Sequence, residues 1–115
     1  MKCFNNMFFL VAILTSTLAF GAEHVKVTIY GGQAACDYWN EETDSEFSRN
    51  MKKGYNSSWL AGYMSAMNIS EGKDTFKKIS VVTASDFVTR YCKDNPSKDA
   101  TDAVKELVKK LDKLR

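Results

Sequence analysis

Cys36 and Cys92 constrain the fold of this chain more than any other feature, because what precedes them reads as a leader that is lost. The sequence opens Met-Lys-Cys-Phe-Asn-Asn, runs apolar from Met7 to Phe20 and continues Gly21-Ala22. That is the layout of a secretory signal peptide over 1–21, with cleavage after residue 21 or 22. The apolar run falls short of the roughly 20 residues that a membrane-spanning helix needs. Cleavage removes Cys3 with the leader and leaves one domain, 22–115, of about 93 residues. In an exported chain the two remaining cysteines are expected to join. The link closes a loop of about 57 residues, which loop-closure entropy values at about 4 kcal/mol. That is a large share of the roughly 5 to 10 kcal/mol total expected of such a domain. A reactive thiol would need a neighbouring histidine or a Cys-x-x-Cys pair, and the sequence has neither.

Of the 16 Lys and Arg, Lys2 leaves with the leader, so 15 (16 − 1) face 14 Asp and Glu. The signs are interspersed, which argues against a nucleic-acid or anionic-membrane partner. The expectation is a soluble periplasmic protein with no membrane insertion.

Along the chain, "VKVTIY" (25–30) alternates apolar and polar and ends at Gly31-Gly32, a short extended segment and turn. From about Gln33, "QAACDYWNEE" predicts a first helix with Cys36 and Trp39 inward. "TDSEFSRNMKKGYNSS" is polar, contains Gly54 and is expected to be a flexible connection, with Asn56, Ser57 or Ser58 capping a second helix that Gly72 ends. Within that helix "WLAGYMSAMN" carries no charge. At 100° per residue Trp59, Leu60, Tyr63, Met64 and Met67 share one arc, and the small residues around Gly62 share the other. The large side is expected in the core and the small side against a second backbone, so Gly62→Leu is expected to overpack. A third helix is expected to start in "VVTASDF", with Thr83 as cap, Asp86 answering it and Val82 stapled to Phe87. It runs to Tyr91 and Cys92. Asn95-Pro96 is expected to end it and open a fourth helix, in which Ala100, Ala103, Val104, Leu107, Val108, Leu111 and Leu114 recur at helical spacing. The fold class is all-α: a small four-helix bundle with one inter-helix disulfide, a short extended N-terminal segment, and the second helix at its centre.

The residues offer little chemistry. His24 is the single histidine, so no Ser-His, Cys-His or multi-histidine zinc site is expected. Cleavage after Gly21 would leave Ala22-Glu23-His24, a terminus able to hold Cu(II) in a square plane. Glu41, Glu42, Asp44 and Glu46 read as a solvated face. No phosphate loop or dinucleotide signature is present. Trp39, Trp59, Tyr63 and Tyr91 read as core aromatics, a binding groove being the other use of such residues. The expected protein is non-enzymatic, has no cofactor and works by binding other proteins.

Cys36-x-x-Trp39, Trp59-Leu60-x-Gly62-Tyr63 and Tyr91-Cys92-Lys93-Asp94-Asn95-Pro96 resemble the small periplasmic proteins of the HdeA/HdeB acid-chaperone group. The resemblance covers nearly the whole mature chain. It implies a homodimer, folded at neutral pH, that opens in acid and holds unfolding clients on exposed apolar surface. The Trp-x-x-Gly-Tyr stretch is also similar to Rap/Tai-type immunity proteins, which block peptidoglycan amidase toxins of type VI secretion. Those usually carry a cysteine before the Gly-Tyr pair and more than one disulfide, where this chain has Leu60 and Ala61. A structural envelope or secretion-apparatus subunit is the third class considered.

Overall fold

The computed structural model describes Thr28, Ile29 and residues 34–115. The leader, its cleavage site, His24 and most of the expected extended segment with Gly31-Gly32 lie outside the described residues. Four helices follow in order: α1 (Cys36–Trp39), α2 (Glu46–Glu71), α3 (Val81–Asp94) and α4 (Ala100–Asp112). No strand occurs among the described residues; the one extended pairing is an antiparallel bridge between Ala35 and Asp99.

That bridge explains two departures from the expected boundaries. The Cys36 amide donates to the Lys98 carbonyl (2.9 Å) and the Ala100 amide to the Ala34 carbonyl (2.6 Å). Backbone committed to a ladder cannot also be helical, so α1 is a single turn instead of a helix from Gln33. For the same reason α4 cannot open at Asn95-Pro96. Asp99 caps it instead, its carboxylate accepting from the Asp102 amide (3.0 Å) and from the Thr101 hydroxyl. Asn95 closes α3, with its side-chain amide donating to the Tyr91 carbonyl (2.9 Å).

The stretch expected to be a flexible connection is helix. Ser45 caps α2 by accepting from the Ser48 amide (3.1 Å), and the helix passes through Gly54 without a break. Asn56, Ser57 and Ser58 therefore lie inside α2 and cap nothing. Gly72 ends α2 as expected, at φ 62°, a left-handed conformation that glycine adopts without strain. In α3 the cap is Ser80, one turn before Thr83; its hydroxyl accepts from the Thr83 amide (3.1 Å). The earlier start adds a helical bond from the Ala84 amide to the Ser80 carbonyl (3.0 Å).

α3, not α2, is the hub, for it packs against each of the other three helices. Its buried edge is Ala84, Val88 and Cys92, at i, i+4 and i+8. Against it lie Cys36 and Trp39 from α1, Leu60 and Met64 from α2, and Ala100, Ala103, Val104 and Leu107 from α4. Phe76, in the α2–α3 connection, plugs the same core at 4% exposure. Val108 and Leu111 pack at its edge, whereas Leu114, past the end of α4, is exposed. Cys36 and Cys92 are bonded across a Cα separation of 4.7 Å, and both are fully buried.

Cys92→Ser is expected to lower stability by about 3 to 4 kcal/mol, the entropy of an opened loop of this length. Chemical unfolding with and without reductant measures it. An unchanged midpoint for the reduced wild type would show that the link contributes nothing.

Candidate protein-binding surface

Three of the aromatics singled out in the sequence meet. Trp39, 4% exposed, donates its indole N–H to the Thr89 hydroxyl (3.2 Å) and meets Trp59 edge-on at 6.0 Å and 74°. Trp59 in turn stacks on Tyr63 at 5.3 Å and 8°, one turn apart on α2. Tyr91, half-buried on α3, packs on the same core without joining that stack. These rings are framework. Burial raises the Tyr63 phenol above its ordinary value of 10.0; Lys105 opposes the shift, and Asp99 and Asp102 add to it.

Gly62 corrects an expectation. It lies on the exposed side of α2, and a Cβ built there meets nothing within 4 Å. Among the described residues no second backbone approaches it, so Gly62→Leu has nothing there to overpack. The small arc of "WLAGYMSAMN" faces solvent instead.

On the opposite side of α2, a cleft of about 460 Å³ opens between residues 40–43, the N-terminal half of α2 and α3. Its floor is Trp39 and Asn56. The Asn56 amide, 6% exposed, donates to the Trp39 carbonyl (3.2 Å). Its Oδ1, like Thr43 Oγ1, is buried without a hydrogen-bond partner. Arg49 and Lys52 line the rim and hold the connection to α2. Arg49 donates to the Thr43 carbonyl (3.2 Å) and Lys52 to the Glu41 carbonyl (2.9 Å). Lys52 also pairs with the Glu41 carboxylate (3.4 Å) and lies 4.7 Å over the Tyr38 ring. Glu41, Glu42, Asp44 and Glu46 are all exposed. They form no metal cage: among the described residues no three His, Cys, Asp or Glu side chains gather as metal ligands would.

The outward face of α2 is the less expected surface. At 100° per residue, the charged Glu46, Arg49, Lys52, Lys53 and Glu71 all fall on the half-turn that holds Asn56, Leu60 and Met64. The solvent half carries no charge along the whole helix. Phe47 (74% exposed), Met51 (43%), Tyr55 (55%) and Ile69 (81%) stand on it, with exposed Gly54, Ser58, Gly62, Ser65 and Ala66 between them. A solvated helix face is ordinarily where charges go, so an exposed uncharged one carrying these apolar side chains is a candidate contact surface.

Among the described residues no helix is long and apolar enough to cross a membrane. Compared with family models, curated proteins and solved structures, the chain gives no match.

Asn56→Ala is expected to destabilise the protein by about 1 to 3 kcal/mol, since it leaves the buried Trp39 carbonyl unpaired. Urea unfolding tests this, and a neutral result would mean that water replaces the lost bond. In alkali the raised Tyr63 value predicts a loss. A folded state that prefers the neutral phenol contributes stability that is complete below pH 10.0 and is lost as pH rises through the raised value. Melting temperatures of wild type and Tyr63→Phe measured above pH 10 should diverge; parallel curves would sever the link.

Proposed function

We propose that this is a small, exported, non-enzymatic protein-binding protein of the acid-stress chaperone kind, working in the periplasm as a disulfide-stapled helical bundle. The observation that carries the reading is the outward face of α2, where Phe47, Met51, Tyr55 and Ile69 stand exposed without a charge among them. An apolar, uncharged face holds other apolar chains with little demand for a particular sequence, as a chaperone for unfolding clients requires.

Acid acts on this chain mainly through net charge. The ion pairs among the described residues lie at the surface, where solvent and salt screen them, so none is a strong support of the fold. Protonating the acids of the mature chain leaves 15 (16 − 1) basic side chains unopposed, and their repulsion favours opening. The buried Cys36–Cys92 link then keeps α1 tied to α3, so opening is partial and reversible.

A second reading, an immunity protein of the Rap/Tai kind, draws on the cleft. Buried acceptors without partners, Asn56 Oδ1 and Thr43 Oγ1, beside the Arg49, Lys52 and Lys53 cations, suit recognition of one folded partner.

Tryptophan fluorescence and molecular size, followed from neutral pH to about pH 2 to 3 with an aggregating client present, separate the two. Reversible opening that keeps the client soluble is the expected outcome. A chain that stays folded, or opens without protecting anything, excludes the chaperone and leaves the cleft as the surface to pursue.

A further inference from the structure

Along the sequence the two signs of charge are interspersed, but the fold sorts them toward opposite ends. Residues 36–46 hold five Asp and Glu and no cation, whereas residues 71–78 and 105–115 together hold eight Lys and Arg against four Asp and Glu. Residues 41–43 lie against the first turns of α2, held there by Arg49 and Lys52. The far end of α2 leads into Lys73, about 35 Å away at 1.5 Å per residue. α4 spans the same two ends: it starts where the Ala100 amide meets the Ala34 carbonyl (2.6 Å) and finishes against residues 75–79. The screening length at physiological ionic strength is about 8 Å, so the acidic end does not cancel the field of the basic one.

The acids at the basic end are already engaged. Glu71 pairs with Lys73 (3.7 Å), Glu106 with Lys109 (2.6 Å) and Asp112 with Arg115 (3.3 Å), and Asp74 accepts from the Asn68 side-chain amide (3.0 Å). Lys77, Lys78, Lys110 and Lys113 are exposed and have no carboxylate within 4 Å among the described residues. Between them an apolar slot of about 130 Å³ opens, walled by Ile79 and Leu111, with Leu114 beside it at 73% exposure and Lys77, Lys78 and Arg115 on its rim.

We propose that this end of the molecule is a docking face for an anionic lipid bilayer, with the lysines meeting headgroup phosphates and Leu114 entering the boundary between headgroups and acyl chains. Exposed leucine among unpaired cations is the combination that interfacial binding uses, since each part supplies what the other lacks. Seven of the eight cations are lysine. Lysine binds as a compact charge on a flexible stem and suits a fluid sheet of phosphates, whereas the fixed fork of arginine suits one carboxylate in one place. Single-stranded nucleic acid is held by exposed aromatic rings, and the exposed rings Tyr38, Phe47 and Tyr55 all belong to the other end. The contact is with the surface alone, as no described helix is long and apolar enough to cross a membrane. It leaves the cleft and the exposed Phe47, Met51 and Tyr55 free, so it stands or falls independently of the chaperone reading.

Co-sedimentation of the full mature chain with vesicles of equimolar phosphatidylglycerol and phosphatidylcholine, set against vesicles of phosphatidylcholine alone, tests the proposal. Binding to the first and not to the second is expected, and it should vanish near 1 M salt, where the screening length falls to about 3 Å. An anionic surface favours each nearby lysine by about fivefold. Lys77→Glu combined with Lys78→Glu should therefore weaken binding by about 25-fold or more, with the helical circular dichroism unchanged because both side chains are exposed. Leu114→Ser should weaken it less, and by the same factor at low and moderate salt. Lys93→Glu combined with Lys98→Glu makes the same change in net charge at the disulfide end and should leave binding nearly unchanged. Equal losses in the two double variants would mean that net charge and not this face is responsible, which overturns the proposal, as does a failure to bind the anionic vesicles at low salt. Polyglutamate that binds as tightly as the vesicles, with no loss in Leu114→Ser, would reassign the face to an acidic polypeptide and overturn it equally.

Discussion

The Cys36–Cys92 link and the short ladder beside it fix the positions from which the rest of the fold is built. The bond holds the single turn of α1 against the C-terminal end of α3. Immediately before Cys36, residues 34–36 pair with residues 98–100 through two backbone hydrogen bonds, which sets where α4 begins. Two segments distant in sequence, residues 34–36 and residues 92–100, are thus joined at three points within a few residues of one another. Loop-closure entropy makes that junction costly to form in an unlinked chain and cheap once the disulfide exists. α3, anchored at one end by sulfur, then serves as the post on which α2 and α4 pack.

With the junction supplying that much organisation, α2 is released from being a core helix along its whole length. Its fully buried side chains are only Asn56, Leu60 and Met64; Trp59, Tyr63 and Met67 pack at the margin. From Glu46 to Tyr55 no side chain is fully buried, and the helix is held there by the Ser45 cap and by the Arg49 and Lys52 bonds to residues 41–43. A helical segment of that length is marginal in water without packing, so these turns belong to the low-stability end of the structure. Both candidate surfaces draw on this segment, and a partner on either one would be coupled to its order.

The parts of the fold that were legible in the sequence are those where burial imposes a period. α4 shows this most clearly: Ala100, Ala103, Val104 and Leu107 recur at helical spacing and are buried. Cys36, Trp39 and the Trp59–Tyr63 pair also sit where an inward face required. The errors came where burial is silent. Residues 46–55 carry no core side chain, so no apolar period announced their helix, and polar composition with Gly54 suggested a loop. The Ser45 cap was the available signal. At Ser80 and Thr83 two capping residues stand three apart, and local sequence alone does not rank them. Asn95-Pro96 favours a helix start locally but loses to a ladder with residue 34, a contact more than 60 residues distant in sequence that no local pattern encodes. For Gly62 the small-residue pattern suggested a close approach, but the residue is exposed and nothing among the described residues comes within 4 Å of a Cβ placed there. Asn56 looked like a cap and is instead a buried strut under Trp39, a role that depends on a turn 17 residues away.

The two surfaces on α2 differ in what they can distinguish. The outward stripe is apolar and uncharged, so its contacts reward area and penalise few mismatches; a missing methylene on a partner changes binding by only about 1 to 3 kcal/mol. The cleft is the opposite case. Its buried Asn56 and Thr43 oxygens have no partners, and a partner that fails to satisfy buried polar groups is rejected far more strongly than one that merely fits poorly. On the proposed reading, low-specificity holding would fall to the stripe and selective recognition to the cleft. Because Met51 and Tyr55 stand on one side of α2 and Arg49, Lys53 and Asn56 on the other, occupation of one surface leaves the other open. The helix between them is the same few marginal turns, so whatever orders it from one side prepares it for the other.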